Sequence, residues 1–206
     1  LLNVLISFEG VDGSGKSTQI KLLKEKLIEQ NYEVTVFREP GGTELSEKIR
    51  KLLLNTDYDI DPVTELLLFS AARSQLVAER VRPLLQQDQV VILDRYYDST
   101  TAYQGFGRES VPLESIAHIN GIATHRLEPD ITFYLRIPIE EAEKRTADHA
   151  KDRMEKSGKE FYQKVIKGFD YLAEKEDRFI KINSTDKVEI VHQQILNKTL
   201  DFLEKS

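Results

Sequence analysis

The sharpest chemical signal in this chain is a glycine-rich run with one lysine and three hydroxyl residues, Gly10-Val11-Asp12-Gly13-Ser14-Gly15-Lys16-Ser17-Thr18. Residues 10–17 match G-x-x-x-x-G-K-[ST] at every fixed position. Glycines let a backbone curl with its N–H groups turned inward, which makes a nest for anionic oxygen at a helix N-terminus. Lys16 would then reach the β- and γ-phosphates of a bound polyphosphate, and the Ser17 hydroxyl would ligate Mg²⁺.

Other residues could join that chemistry. Val90-Val91-Ile92-Leu93-Asp94 is an apolar run ending in an acid. Alone it is a strand end with a solvated Asp; beside a phosphate loop it reads as a carboxylate that supports the metal, usually through water. Arg95 follows and is either a second phosphate contact or a surface residue. Asp12 sits inside the loop, where bound phosphate would repel it. It either shapes the turn by local hydrogen bonds or faces an acceptor and binds a sugar hydroxyl. Phe69, Arg73, Leu76 and Arg80 share a helix face beside an expected core stripe of Val63, Leu67, Ser70, Ser74, Val77 and Val81. Phe69 and Arg73 could stack and hydrogen-bond a nucleobase, or be a core side chain and a surface ion pair. Lys144, Arg145, Lys151, Arg153, Lys156 and Lys159 alternate with acids, as in a solvated helix face or a lid closing over transferring phosphate. His118, His125, His149 and His192 show no metal-ligand spacing.

Strand and helix patterns alternate along the chain. Strands are expected at 4–8, 33–37, 89–93, 131–135 and 178–182. Helices are expected from 18 to 30, after Thr43 as cap, and from Asp61-Pro62 to about residue 87. Another follows at 112–125, others flank a charged segment at 147–158, and the last runs from about Ile190 to Leu203. Residues 99–102 read as helical, and Gln104-Gly105-Phe106-Gly107-Arg108 as a turn. This alternation predicts an α/β fold: a five-stranded parallel sheet flanked by helices on both faces. Ligands of such sheets bind beyond the carboxyl ends of the strands. The phosphate loop, Arg38 to Thr43, Asp94-Arg95, Arg136 and Asn183-Ser184 all follow strands, so the fold should gather them at one edge.

Once assembled, these residues closely resemble the thymidylate kinases, almost end to end. The resemblance rests on Phe8-Glu9 with the phosphate loop, Arg38-Glu39-Pro40-Gly41-Gly42-Thr43, Leu68-Phe69-Ser70-Ala71-Ala72-Arg73, Asp94-Arg95-Tyr96 with Asp98-Ser99, and Ala102-Tyr103-Gln104-Gly105. The loop alone fits many families; the Arg-Glu-Pro-Gly-Gly-Thr and Asp-Arg-Tyr segments together are far more selective. The resemblance implies a P-loop NTPase fold with a mobile lid, ATP-dependent phosphorylation of dTMP to dTDP with Mg²⁺, and a homodimer. It implies that Phe69 stacks on thymine, that Arg73, Ser99 and Gln104 hydrogen-bond the base, and that Tyr103 crowds the sugar's 2′ position. It places Asp12 on the 3′-hydroxyl, Arg38, Arg50 and Arg95 on the acceptor phosphate, and Ser17 and Asp94 at the metal. Gly13 stands where some members carry a loop arginine, so the catalytic arginine should come from the lid. Arg153 is the first match and Arg145 the second.

Bulk properties set the remaining bounds. With 206 residues, 40% hydrophobic and 31% charged, the chain is expected to form one soluble domain. A net charge of −6 argues against a broad nucleic-acid surface. No cysteine occurs, so disulfides and thiolate metal sites are excluded. The first residues lead straight into the loop without a basic leader, and no apolar run approaches the roughly 20 residues that cross a bilayer. A cytoplasmic location without membrane or nucleic-acid partners is therefore expected. The alternatives are a nucleoside or nucleotide kinase with another acceptor, a GTP-dependent switch, or an inactive nucleotide-binding subunit. A switch would want Asn-Lys-x-Asp, and Asn197-Lys198-Thr199-Leu200 lacks the acid.

Overall fold

A computed structural model describes residues 3–55, 57–147 and 152–204. Five parallel strands form one sheet in the order β2-β3-β1-β4-β5: β1 (Val4–Glu9), β2 (Val34–Arg38), β3 (Val90–Asp94), β4 (Ile131–Arg136) and β5 (Phe179–Asn183). Strands covered on both faces read as continuous apolar runs, and alternation along β1 sorts its residues between two cores. Val4, Ile6 and Phe8 pack with Ile20, Leu23 and Leu27 of α1 (Lys16–Glu29) and Val191 and Ile195 of α9 (Val188–Leu203). Leu5 faces the other side, against Leu76, Val77, Val81 and Tyr96. Ser7 shares that second side and hydrogen-bonds Thr132 at 2.7 Å. Glu9, two residues on, is thereby aimed beneath the site on the same face.

Register brings the loops to one edge. Asp94 pairs with Phe8 on one flank and Arg38 on the other, so the segments leaving β1, β2 and β3 emerge together. α2 (Glu44–Leu54) starts at Thr43, whose hydroxyl accepts from Ser46 N at 3.1 Å. α3 (Pro62–Leu76) has Asp61 as cap, accepting from Val63 N at 2.9 Å, with Pro62 in the first turn.

Three expectations need correction. The helix from 62 to about 87 is not one α-helix, because a π-turn at Val77–Val81 separates α3 from α4 (Arg82–Leu85). Val63 and Leu67 are exposed rather than core; Leu66, Ala72 and Leu76 are buried instead. The expected turn at 104–108 is a π-helical segment, Thr101–Gly107, continuing α5 (Tyr97–Thr100). Its glycines serve close packing. A Cβ at Gly105 would meet Leu113 Cδ2 at 2.8 Å, and one at Gly107 would meet Phe161 Cε2 at 2.6 Å. α6 (Leu113–Ala123), α7 (Ile139–Arg145) and α8 (Lys159–Lys175) complete the layers. Of the expected lid at 147–158, residues 148–151 lie outside the described residues, and Glu155–Ser157 form a short 3₁₀ turn. The strand–glycine loop–helix unit at β1 and α1 within a parallel sheet is the P-loop arrangement.

Candidate active site

The phosphate loop leaves β1 and ends where α1 begins. Gly15 caps α1 at φ 89° with no side chain in the way, so the first-turn amides are available to an anion. Lys16 is buried and folds back, donating to Gly10 O at 2.9 Å and Val11 O at 3.1 Å. Burial, with Arg95 nearby, pushes its ammonium down to about 8. Gly13 has φ 77°, and a Cβ there would stand 2.9 Å from Ala142 O of α7. A side chain at position 13 would be strained and would collide with backbone.

A cleft of about 460 Å³ runs along this loop, with Ser17, Arg38, Arg50, Asp94 and Arg95 on its walls. The Ser17 hydroxyl donates to Asp94 Oδ2 at 3.4 Å, which places a hydroxyl and a carboxylate together at the loop mouth. Mg²⁺ usually keeps several waters and binds one or two carboxylates plus substrate phosphate. That sparse donor set fits the ion, and among the described residues no group of three His, Asp or Glu could hold a metal without phosphate.

Deeper in, a cavity of about 110 Å³ is bounded by Phe69 and Arg73 of α3, by Ser99 of α5 and by Tyr103 and Gln104 of the π-helical segment. Asp12, Glu39, Arg50 and Arg95 line both spaces, so the cavity and the cleft adjoin. Arg95 is the hinge between them. Its guanidinium donates to Asp12 Oδ1 at 2.8 Å, Gly10 O at 2.8 Å and Ser99 Oγ at 3.2 Å. It also lies over the Tyr103 ring at 5.1 Å, and its backbone has φ 71°. A non-glycine residue in that left-handed region persists only where its surroundings hold it. Burial would raise the Asp12 carboxyl, but Arg95 and Lys16 outweigh it and hold it below its ordinary range.

Arg73 is neither surface residue nor surface ion pair. It is 2% exposed and donates to Glu39 Oε2 at 2.7 Å, Thr100 Oγ1 at 2.9 Å and Tyr96 O at 3.2 Å. Burial pushes the Glu39 carboxyl up to about 7 against the pull of Arg73. Beneath Ser99, Glu9 is fully buried, accepting from Ser99 Oγ at 2.6 Å and Tyr96 N at 2.8 Å. Burial and then Asp98 push it up to about 8. The Tyr103 hydroxyl is buried close to Arg95.

The two candidate catalytic arginines divide. Arg145 donates to Gly13 O at 3.3 Å and Ser184 O at 3.2 Å, so it lies against the phosphate loop. Ser184 itself donates from Oγ to Ser14 O. Arg153, the first-choice catalytic arginine, instead donates to Leu53 O at 2.7 Å and Glu65 Oε2 at 2.6 Å, on the side of the inner cavity. Two buried acids beneath the site, Glu9 and Glu39, lie inside the Phe8-Glu9 and Arg38-Glu39-Pro40-Gly41-Gly42-Thr43 motifs, which give them no role of their own. Glu65 was missed outright, though its spacing of four from Phe69 and eight from Arg73 places it on their helix face.

Comparison with known proteins gives the same reading. A family model described as thymidylate kinase matches residues 8–195. The thymidylate kinase of Chlorobium luteolum is 49% identical over 216 residues, covering 98% of this chain and 100% of the relative. That of Pelodictyon phaeoclathratiforme is 48% identical over 204 residues, 94% of each chain. That of Caldanaerobacter subterraneus is 44% identical over 200 residues, 97% of this chain and 96% of its own. With the phosphate loop, the Arg95 hinge and the inner cavity all lying inside the matched span, the chain belongs to the thymidylate kinase family.

Proposed function

We propose that this protein transfers the γ-phosphoryl group of ATP directly to dTMP, giving dTDP and ADP. The observation that carries the reading is the shared wall: a base-sized cavity opens into the phosphate-loop cleft through Asp12, Arg50 and Arg95. Two nucleotides can then meet phosphate to phosphate. In-line transfer needs positioning and charge neutralisation rather than a protein nucleophile.

On the donor side the amides of Gly13 to Thr18 cradle phosphate, and Lys16 swings from its own loop carbonyls onto the β- and γ-oxygens. Ser17 and Asp94 would hold Mg²⁺, which when bound neutralises charge on the transferring group. On the acceptor side Phe69 stacks on thymine while Arg73, Ser99 and Gln104 read its edge. Tyr103, which lines the cavity, faces the sugar and disfavours a 2′-hydroxyl. Asp12 takes the 3′-hydroxyl, and Arg38, Arg50 and Arg95 fix the acceptor phosphate. Because α7 closes the space at Gly13, the transition-state arginine must come from outside the loop, from the lid at about 147–158 or from the end of α7 just before it. Arg153 is our first candidate, which requires it to leave Glu65; Arg145, already on the loop, is the second.

The reading includes one kinase domain acting as a cytoplasmic homodimer. Exposed Val63 and Leu67 on α3 and Ile122 on α6 are apolar surface that a second copy could cover. No helix among the described residues is long and apolar enough to cross a membrane. The test is ADP release from ATP and Mg²⁺ with dTMP, dUMP, dCMP, dGMP or ribosyl TMP. We expect dTMP to be turned over best; a purine or cytidine nucleotide preferred over it would replace dTMP as the acceptor.

A further inference from the structure

Glu65 is fully buried in α3, one helical turn before Phe69, and is not itself part of the cavity wall. Its carboxylate is nonetheless a junction. It accepts from Gln104 Nε2 at 2.9 Å, Arg108 Nε at 3.2 Å and Arg153 Nη2 at 2.6 Å. The two guanidinium groups compensate a charge that would be costly alone in the interior. The contact with Gln104 has a different consequence. An ionised carboxylate only accepts hydrogen bonds, whereas an amide has a donor end and an acceptor end. Glu65 therefore takes the NH₂ end of Gln104 and leaves Oε1 as the end offered to the cavity. Among the described residues Oε1 accepts no protein hydrogen bond.

We propose that Glu65 is a positioning residue for base selection: by pinning the Gln104 amide in one orientation, it makes the pocket demand a pyrimidine with an N–H at ring position 3. The proposal rests on the acceptor reading given above. Arg73 supplies the second half of the pattern. Its Nε, Nη1 and Nη2 each make one hydrogen bond to Glu39, Thr100 and Tyr96, and a guanidinium has five N–H groups, so donors remain for the cavity that it lines. A donor from Arg73 beside an acceptor from Gln104 complements a carbonyl next to an N–H, the edge of thymine. Cytosine reverses both positions, with an amino group beside a bare ring nitrogen. A Gln104 free to rotate could present its NH₂ to that nitrogen instead, and half of the discrimination would vanish.

The test is Glu65→Gln, assayed in the full-length enzyme for kcat/KM with dTMP and with dCMP, with thermal unfolding to confirm the fold. The dTMP:dCMP ratio should fall about tenfold or more, since a pocket committed to one hydrogen-bond pattern rejects the other strongly. A merely structural role would lower both substrates alike. An unchanged ratio in an active, folded variant therefore overturns the proposal. In a Gln104→Met background, Glu65→Gln should produce no further change in the ratio, and an undiminished effect there would overturn it equally. If Glu65→Gln does not fold, Glu65→Asp, which withdraws the carboxylate by one methylene, is read in the same way: a threefold fall supports the proposal and no change refutes it. A wild-type protein without dTMP-dependent activity would overturn the acceptor reading and this inference together. An active wild type with an insensitive ratio overturns this inference alone.

Discussion

At the phosphate loop the groups offered to an anion are backbone amides from a few consecutive residues, with a single lysine folded among them. The inner cavity is assembled differently, from side chains that α2, α3, α5 and the 101–107 segment bring together. Behind those side chains lie buried acids: Glu39 under Arg73, Glu9 under Ser99 and Glu65 under Gln104. A loop that grips phosphate through its backbone suits any nucleoside triphosphate. A pocket in which Arg73, Ser99 and Gln104 are each held by a buried acid suits one base. Generality and selectivity thus occupy separate construction, joined at Arg95.

The contrast can be broken one half at a time. Lys16→Ala should lower kcat by about 10³-fold or more while leaving dTMP affinity within about threefold, because it strips charge stabilisation from the donor half only. Equilibrium dTMP binding beside steady-state rates checks this, and a matching loss of dTMP affinity would show that the halves are not separable. Arg73→Met attacks the other half. It leaves Glu39 buried without its cation and should cost about 3–5 kcal/mol in urea unfolding, together with dTMP binding but not ATP binding.

Arg153→Ala sharpens the comparison, since this residue rests on the acceptor side but is assigned to the transition state. A fall of about 10²–10³ in kcat with little change in KM supports delivery by the lid. A mainly KM effect would leave Arg153 as part of the Glu65 network. The smallest effect concerns Glu9. Its carboxyl moves from an ordinary 4.5 up to about 8 on folding. The folded chain therefore holds this proton where the unfolded chain has lost it. That contribution is complete below pH 4.5 and is lost as pH rises to about 8. Relative to Glu9→Gln, the wild type should lose stability progressively across that window, read by urea unfolding at several pH values.

The same division explains what could be read from the sequence. The β1–loop–α1 unit is legible because its signal is local: an apolar run, glycines at fixed spacing, then helical periodicity. The strands and their shared edge follow from alternation along the chain. The π-turn at Val77–Val81 left no such trace, and Gly105 and Gly107 imitate turn formers although their role is close packing against Leu113 and Phe161. Helix-face spacing raised Phe69 and Arg73 but could not separate an Arg73 turned to the cavity from a surface one; Ser99, Tyr103 and Gln104 were reached through family resemblance. Glu65 was missed because its partners, Gln104, Arg108 and Arg153, lie 39, 43 and 88 positions away. Only tertiary contact gives that acid a meaning.

The head-to-head arrangement is tested most directly by a crystal structure of the protein with dTMP. The thymine ring should lie on Phe69 with its N3–H on Gln104 Oε1, and its phosphate should point through Arg95 toward Lys16. A nucleotide seated with its phosphate in the loop at Gly13 to Thr18 and its base outside the Phe69–Arg73 cavity would contradict the arrangement.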